Sequence, residues 1–99
     1  MIKYREGYEI DYIRLIELFE ESNQQDISAE YMRLVSMVES SSLVVTAWDF
    51  DYMIGFAHLT CDEVIIGNIN NVMVDNEYRN MGIEEELINF IISSNPQIG

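Results

Sequence analysis

Residues 74–87, VDNEYRNMGIEEEL, hold the residue types and spacing that come closest to chemistry in this chain. An apolar strand end runs into a polar turn, Arg79 precedes Gly82 by three residues, and a helix then opens on Glu84, Glu85 and Glu86. The first N–H groups of a helix have no partner within it, and together with the macrodipole they form an anion site. A glycine in the turn before the helix permits positive φ and lets a ligand approach the backbone. Arg79 and Gly82 therefore suit a phosphate, although one arginine and one glycine near a helix start are a common pairing. The glutamates work the other way. Acidic residues in a first turn stabilise a helix by roughly 0.3–1 kcal/mol each, by occupying the field that a phosphate would use. An anion brought within about 4–6 Å of unpaired carboxylates loses affinity.

Other reactive side chains are sparse. Cys61 is the single cysteine, so no internal disulfide forms. A thiol nucleophile would need His58, the single histidine, and residues three apart on a strand point to opposite faces. His58 titrates near neutrality, yet a lone histidine on a strand is expected to be structural. Met32, Met37, Met73 and Met81 are expected mostly to pack in the core, and Trp48 and Phe50 are placed there too.

These residues need a scaffold, and the chain reads as one domain over residues 1–99. Hydrophobic residues make up 48%, enough for a packed fold rather than a disordered one. Residues 3–5 suit an edge strand. Residues 9–22 carry Tyr12, Ile13, Leu15, Ile16, Leu18 and Phe19 at helical spacing. Ser28 suits the cap of a second helix over residues 29–39. Residues 43–48, LVVTAW, form a strand. A turn over residues 49–52 leads to a second strand at 53–60, giving a hairpin. A third strand covers 64–74, with Gly67 marking a bulge. Gly82 opens the last helix, and Asn95-Pro96 stops it. The order β-α-α-β-β-β-α predicts an α+β, mixed three-layer fold, a largely antiparallel sheet covered by helices.

The net charge is −13, and after Arg33 the single cation is Arg79. Direct nucleic-acid binding needs clustered Lys and Arg, and so does an anionic membrane surface; both are excluded. No stretch is apolar and long enough to span a bilayer, and the N-terminus lacks the apolar run of a signal peptide. A cytoplasmic protein is expected, with its acidity serving solubility or attracting a basic partner.

Residues 69–88, INNVMVDNEYRNMGIEEELI, resemble the signature of the GNAT family of acyl-CoA N-acyltransferases. The Glu77-Tyr78-Arg79 and Gly82-Ile83 pieces match that motif, and Leu87 falls where the family often has leucine. The segment DFDYMIGFAHLT resembles the family's preceding hairpin, and IKYREGYEIDYIRLIELFEES its first strand and helix. The element order agrees along the whole chain. The resemblance implies a truncated acyl-CoA N-acyltransferase-like fold and an acetyl-CoA site. Backbone groups near Val72, Met73 and Val74 would bond the pantetheine arm. The N–H groups of Arg79, Asn80, Met81, Gly82, Ile83 and Glu84 would cradle the pyrophosphate.

Three departures accompany the match. Glu84 stands where the family has a small residue, adding bulk and charge at the cradle, so that cofactor binding is open to having been lost. Family members continue past this helix with further elements that often supply a general-acid tyrosine, whereas Tyr4, Tyr8, Tyr12, Tyr31, Tyr52 and Tyr78 all precede that region. The third strand is then expected to be an exposed edge, which invites a homodimer by strand pairing. Finally, the strand that often carries a general base reads Asn68-Ile69-Asn70-Asn71, and asparagine cannot take a proton from an attacking ammonium. Asp62, Glu63 and Asp75 lie at that strand's ends and act only from a distance. No catalytic residue is assigned. Two functions stay open: an N-acetyltransferase for a cationic acceptor such as a polyamine, an aminoglycoside or a protein lysine, or a non-catalytic acidic module that engages a basic protein as an inhibitor or nucleic-acid charge mimic.

Overall fold

The run from Leu43 to Trp48 lacks polar alternation, and a strand apolar on both sides must be covered on both sides. A computed structural model of the chain, which describes residues 1–22, 31–61 and 67–94, shows how this is met. Ile2–Glu6 (β1), Leu43–Asp49 (β2), Tyr52–Cys61 (β3) and Gly67–Val74 (β4) form an antiparallel sheet in the order β1-β2-β3-β4. Helices Tyr12–Ser22 (α1) and Tyr31–Ser40 (α2) cover one face, and Ile83–Ser94 (α3) covers the other. Alternation along β2 divides the core in two. Val44 and Trp48 pack with Leu15, Leu18, Phe19, Leu34 and Val38. Leu43, Val45 and Ala47 pack with Ile83, Leu87 and Ile91. The α+β plan, element order and antiparallel sheet are those expected from the sequence.

Several expectations shift. Helix α1 begins at Tyr12 rather than residue 9, because the Asp11 side chain accepts from the N–H groups of Ile13 (3.1 Å) and Arg14 (3.2 Å) and so caps it. Ser28, the expected start of the second helix at residue 29, Asp62, Glu63, the first residues of the third strand and Asn95-Pro96 lie outside the described residues. Gly67 pairs in register with Cys61, so the bulge is not there. It lies further along β4: between the pairs Phe56↔Met73 and His58↔Asn70, two steps on β3 oppose three on β4. Asn71, inside that interval, has φ +50°, a left-handed conformation that asparagine tolerates.

The aromatic pair near the hairpin separates. Trp48 is buried, its indole N–H donating to Thr46 Oγ1 at 2.7 Å. Phe50 is 83% exposed, not in the core, because it sits at the β2–β3 tip with φ +54°. Met73 and Met37 pack against the core, while Met32 and Met81 are exposed. Gly55 on β3 is where α3 meets the sheet. A Cβ there would lie 3.1 Å from Ala47 Cβ and 3.3 Å from Leu87 Cδ1, so its absence sets how closely α3 approaches.

Candidate functional site

The turn between β4 and α3 is held from below by one buried carboxylate. The Asp75 N–H donates to Ile54 O (2.8 Å), and its carbonyl accepts from Tyr78 N–H (2.8 Å). Its Oδ1 caps the 3-10 turn Asn76–Tyr78 by accepting from Glu77 N–H (2.9 Å), and Oδ2 accepts from Arg14 Nη2 at 2.6 Å. Arg14 comes from α1 and is itself buried. Its Nε donates to Met53 O (2.9 Å), its Nη1 to Glu17 (2.6 Å), and its guanidinium lies 4.0 Å from the Tyr52 ring centroid. Burial opposes that charge, but hydrogen bonds to Glu17 and Asp75 outweigh it and raise the arginine's pKa. A buried charge without such partners would cost several kcal/mol.

Two further contacts fix the turn. The Asn76 N–H donates to Glu21 Oε1 (3.0 Å), tying it to the end of α1. The Tyr78 hydroxyl donates to Asp49 Oδ2 (2.7 Å) at the end of β2. That hydrogen bond, more than desolvation or the neighbouring charges, pushes the phenol up to about 12.

Beyond Tyr78 the chain is exposed. Arg79, Asn80, Met81 and Gly82 face solvent, with Asn80 at φ +67° and Gly82 at φ +77°. A Cβ on Gly82 would meet nothing within 4 Å, so the glycine serves the backbone conformation and the space above it is open. Ile83 is buried against the sheet and seats the helix, while Glu84, Glu85 and Glu86 are exposed. The first helical bond is Glu86 N–H to Gly82 O (3.1 Å). Among the described residues no side chain accepts from the N–H groups of Ile83, Glu84 and Glu85, in contrast to the Asp11 cap of α1. Val74, Tyr78, Arg79, Asn80, Gly82, Ile83, Glu84 and Glu85 line a concavity of about 210 Å³. Whole-ligand pockets run to roughly 300–1,000 Å³, so this one suits a single polar segment of a ligand.

The structure therefore brings Val74, Arg79, Asn80, Gly82, Ile83 and Glu84 around one hollow and leaves Met81 outside its lining. Met73 is buried in the α1/α2 core, and Val72 packs on the α3 side. Their side chains are committed to packing, so any polar contact from them comes from the backbone of β4. That strand pairs with β3 alone among the described residues.

The same turn has a second flank, which sequence reasoning missed. Arg14, Glu17, Glu20, Glu21, Tyr52, Asp75, Asn76 and Glu77 line a cleft of about 620 Å³. Five of these eight are carboxylates, and Arg14 is already paired with two of them. One signal was present: Arg14 lies four residues from both Ile10 and Leu18, on the apolar side of the helical pattern, where a charge needs a partner. Asp75 was read as a remote base, but it is committed to Arg14 and to the turn. His58 is buried, bonded to Ser41 and Asn71, and faces neither hollow. Among the described residues no group of three or more His, Cys, Asp or Glu is placed to hold a metal, and no helix is long and apolar enough to cross a membrane.

The fold is that of the GNAT acetyltransferases. The chain matches a GNAT family acetyltransferase from Streptococcus pneumoniae TIGR4 with a TM-score of 0.80 and 16% identity, over 99% of this chain and 70% of that one. A GNAT family N-acetyltransferase from Escherichia coli, solved in complex with CoA, matches with a TM-score of 0.77 and 19% identity, over 94% of this chain and 55% of that one. An aminoglycoside acetyltransferase from an uncultured soil metagenomic sample, in complex with sisomicin, matches with a TM-score of 0.76 and 20% identity, over 97% and 70% of the two chains. At these identities the likeness establishes the fold alone. No protein-family model and no curated protein matches the sequence.

Proposed function

We propose that this chain binds acetyl-CoA at the β4–α3 turn and presents its acyl group to a cationic amine, as an N-acetyltransferase of the GNAT type. The observation that carries this reading is the uncapped start of α3. Its first N–H groups, the open space above Gly82 and Arg79 converge on one small hollow, in a fold whose solved examples include a CoA complex. The hollow suits the pyrophosphate, and the backbone of β4 near Val72, Met73 and Val74, with Val74 facing the uncovered edge, suits the pantetheine amides. Bound there, the cofactor would supply an activated thioester; the chain's own contribution is to hold the two phosphates and the arm in place. The acidic cleft on the other flank supports a cationic acceptor such as a polyamine, an aminoglycoside or a protein lysine. Asp75 is tied to Arg14, so no general base is assigned.

A second reading draws on the exposed glutamates. Glu84 and Glu85 line the same hollow as Arg79, and the chain carries a net charge of −13. They favour a non-catalytic module that engages a basic protein. Calorimetric titration of acetyl-CoA at low salt, with wild type, Glu84→Gln and Glu84→Gly, separates the two. Micromolar binding by wild type supports the enzyme reading. Binding that appears in Glu84→Gln assigns the loss to charge; binding in Glu84→Gly alone assigns it to bulk. No binding by any of the three removes acetyl-CoA from the account. The uncovered edge of β4, with no charged residue from Gly67 to Val74, also suits strand pairing with a second copy. A single monomeric species in sedimentation at high concentration would rule that out.

A further inference from the structure

His58 is buried, polar and unused by either hollow, yet it is fully engaged. Its Nδ1 lies 2.8 Å from Ser41 Oγ and its Nε2 2.8 Å from Asn71 Oδ1. Both partners are special positions. Ser41 follows the last residue of α2, where its N–H donates to Val38 O and its carbonyl accepts from the Tyr8 hydroxyl at 2.7 Å. Asn71 is the left-handed residue of the β4 bulge.

That bulge decides what β4 presents. Without an extra residue, positions three apart on a strand point to opposite faces. Here Ile69 and Val72 both pack on the α3 side, while Met73 packs on the α1/α2 side. The Asn71 side-chain oxygen can only accept, so Nε2 carries the proton. Ser41 Oγ has one proton and lies 2.8 Å from both Met37 O and Nδ1, and with a neutral imidazole that proton goes to Nδ1. Burial favours this neutral imidazole.

We propose that His58 is a positioning residue: it ties Asn71 to the end of α2 and so fixes the bulge that sets the facing of β4. A left-handed asparagine in a strand costs energy, and its side chain is held here by a buried donor whose ring lies against Phe56 and is bonded to Ser41. The consequence for acetyl-CoA rests on the reading that the β4 edge takes the pantetheine arm; the latch itself does not.

The test uses amide hydrogen exchange on the full chain, in wild type, Asn71→Gly, His58→Phe and Asn71→Asp. Glycine keeps φ +50° accessible but removes the acceptor; aspartate keeps the acceptor. Expected is exchange roughly tenfold faster at Asn70 and Met73, the amides that face β3 on either side of the bulge, in Asn71→Gly and His58→Phe, with β2 amides unchanged and protection retained in Asn71→Asp. Faster exchange spread equally over all strands, or none at the bulge, would overturn the proposal. So would an Nδ1–H tautomer of His58 by nitrogen NMR. Acetyl-CoA affinity is expected to fall and recover in step with the bulge amides. A wild type that binds no acetyl-CoA defeats the cofactor reading alone, because exchange still decides the latch.

Discussion

Removing Asp75 is the sharpest test of how the β4–α3 turn is held. The Arg14–Asp75 contact is 2.6 Å, with side-chain exposures of 7% and 9%. Breaking a buried pair by deleting one partner costs about 3–5 kcal/mol, because the other charge stays buried and unpaired. Asp75→Ala also removes the cap on Glu77 N–H, for about 1 kcal/mol more. In a domain of this size each kcal/mol moves Tm by about 4–8 °C, so a loss of at least about 16 °C is expected. Thermal and urea unfolding of Asp75→Ala, Asp75→Asn, Arg14→Met and the Arg14→Met/Asp75→Asn double variant give a double-mutant cycle. Asparagine retains the capping oxygen, so the cycle reports the ion pair. The double variant is expected to be less destabilised than the sum of the single ones, by about 2 kcal/mol. If Asp75→Asn costs under about 1 kcal/mol and the cycle shows no coupling, the pair behaves as a surface ion pair. The claim that α1 anchors the turn would then be wrong.

Two other perturbations address the scaffold. Gly55→Ala places a methyl 3.1 Å from Ala47 Cβ and 3.3 Å from Leu87 Cδ1; a cost of about 1–3 kcal/mol is expected by thermal unfolding, with any ligand affinity at the turn reduced because Ile83 and Leu87 are displaced. His58 has a pKa lowered below its ordinary 6.5 by burial, against the weaker opposing effect of Asn71. Well above pH 6.5 the imidazole is neutral in both folded and unfolded chains and has no pH-linked effect. As pH falls below that value the unfolded chain takes up the proton first, so stability drops. Unfolding midpoints measured from pH 7.5 to 5.5 should fall in wild type and stay flatter in His58→Phe; equal slopes would contradict the assignment.

The layers and element order were legible because they rest on local patterns. The helical stripe of α1 and the apolar runs of β2 and β3, bounded by turn residues, each declare their element. The turn was legible too, since Tyr78, Arg79, Gly82 and Ile83 fall within six residues. The Arg14–Asp75 anchor was not, because its two residues are 61 apart and neither period nor turn chemistry links them. The bulge was misplaced for a related reason. Gly67 carries the general signal for irregularity, but it pairs regularly, and Asn71 takes the left-handed conformation with a hydrogen bond from His58, 13 residues earlier.

The proposed acetyl-CoA site lies in an acidic chain, and charge around the turn is divided between its two flanks. The acids of α1 gather on the flank that Arg14 anchors, and Glu17, Glu20, Glu21 and Glu77 line the cleft there. On the other flank the backbone is left uncapped, and Arg79 adds a positive charge. On the proposed reading the anionic middle of acetyl-CoA would be held on the second flank by backbone N–H groups and Arg79 against the repulsion of Glu84 and Glu85, and a cationic amine would be drawn to the first. Both flanks depend on Asp75, which supports the turn beneath the one and lines the other. Screening tests this division. Raising the ionic strength should weaken a cation in the acidic cleft strongly, because several carboxylates attract it at once. At the hollow, salt should weaken the repulsion by Glu84 and Glu85 along with the attraction by Arg79. The affinity of acetyl-CoA is therefore expected to change little with salt while that of a polyamine falls, and parallel losses for both would show that the two flanks are not electrostatically distinct.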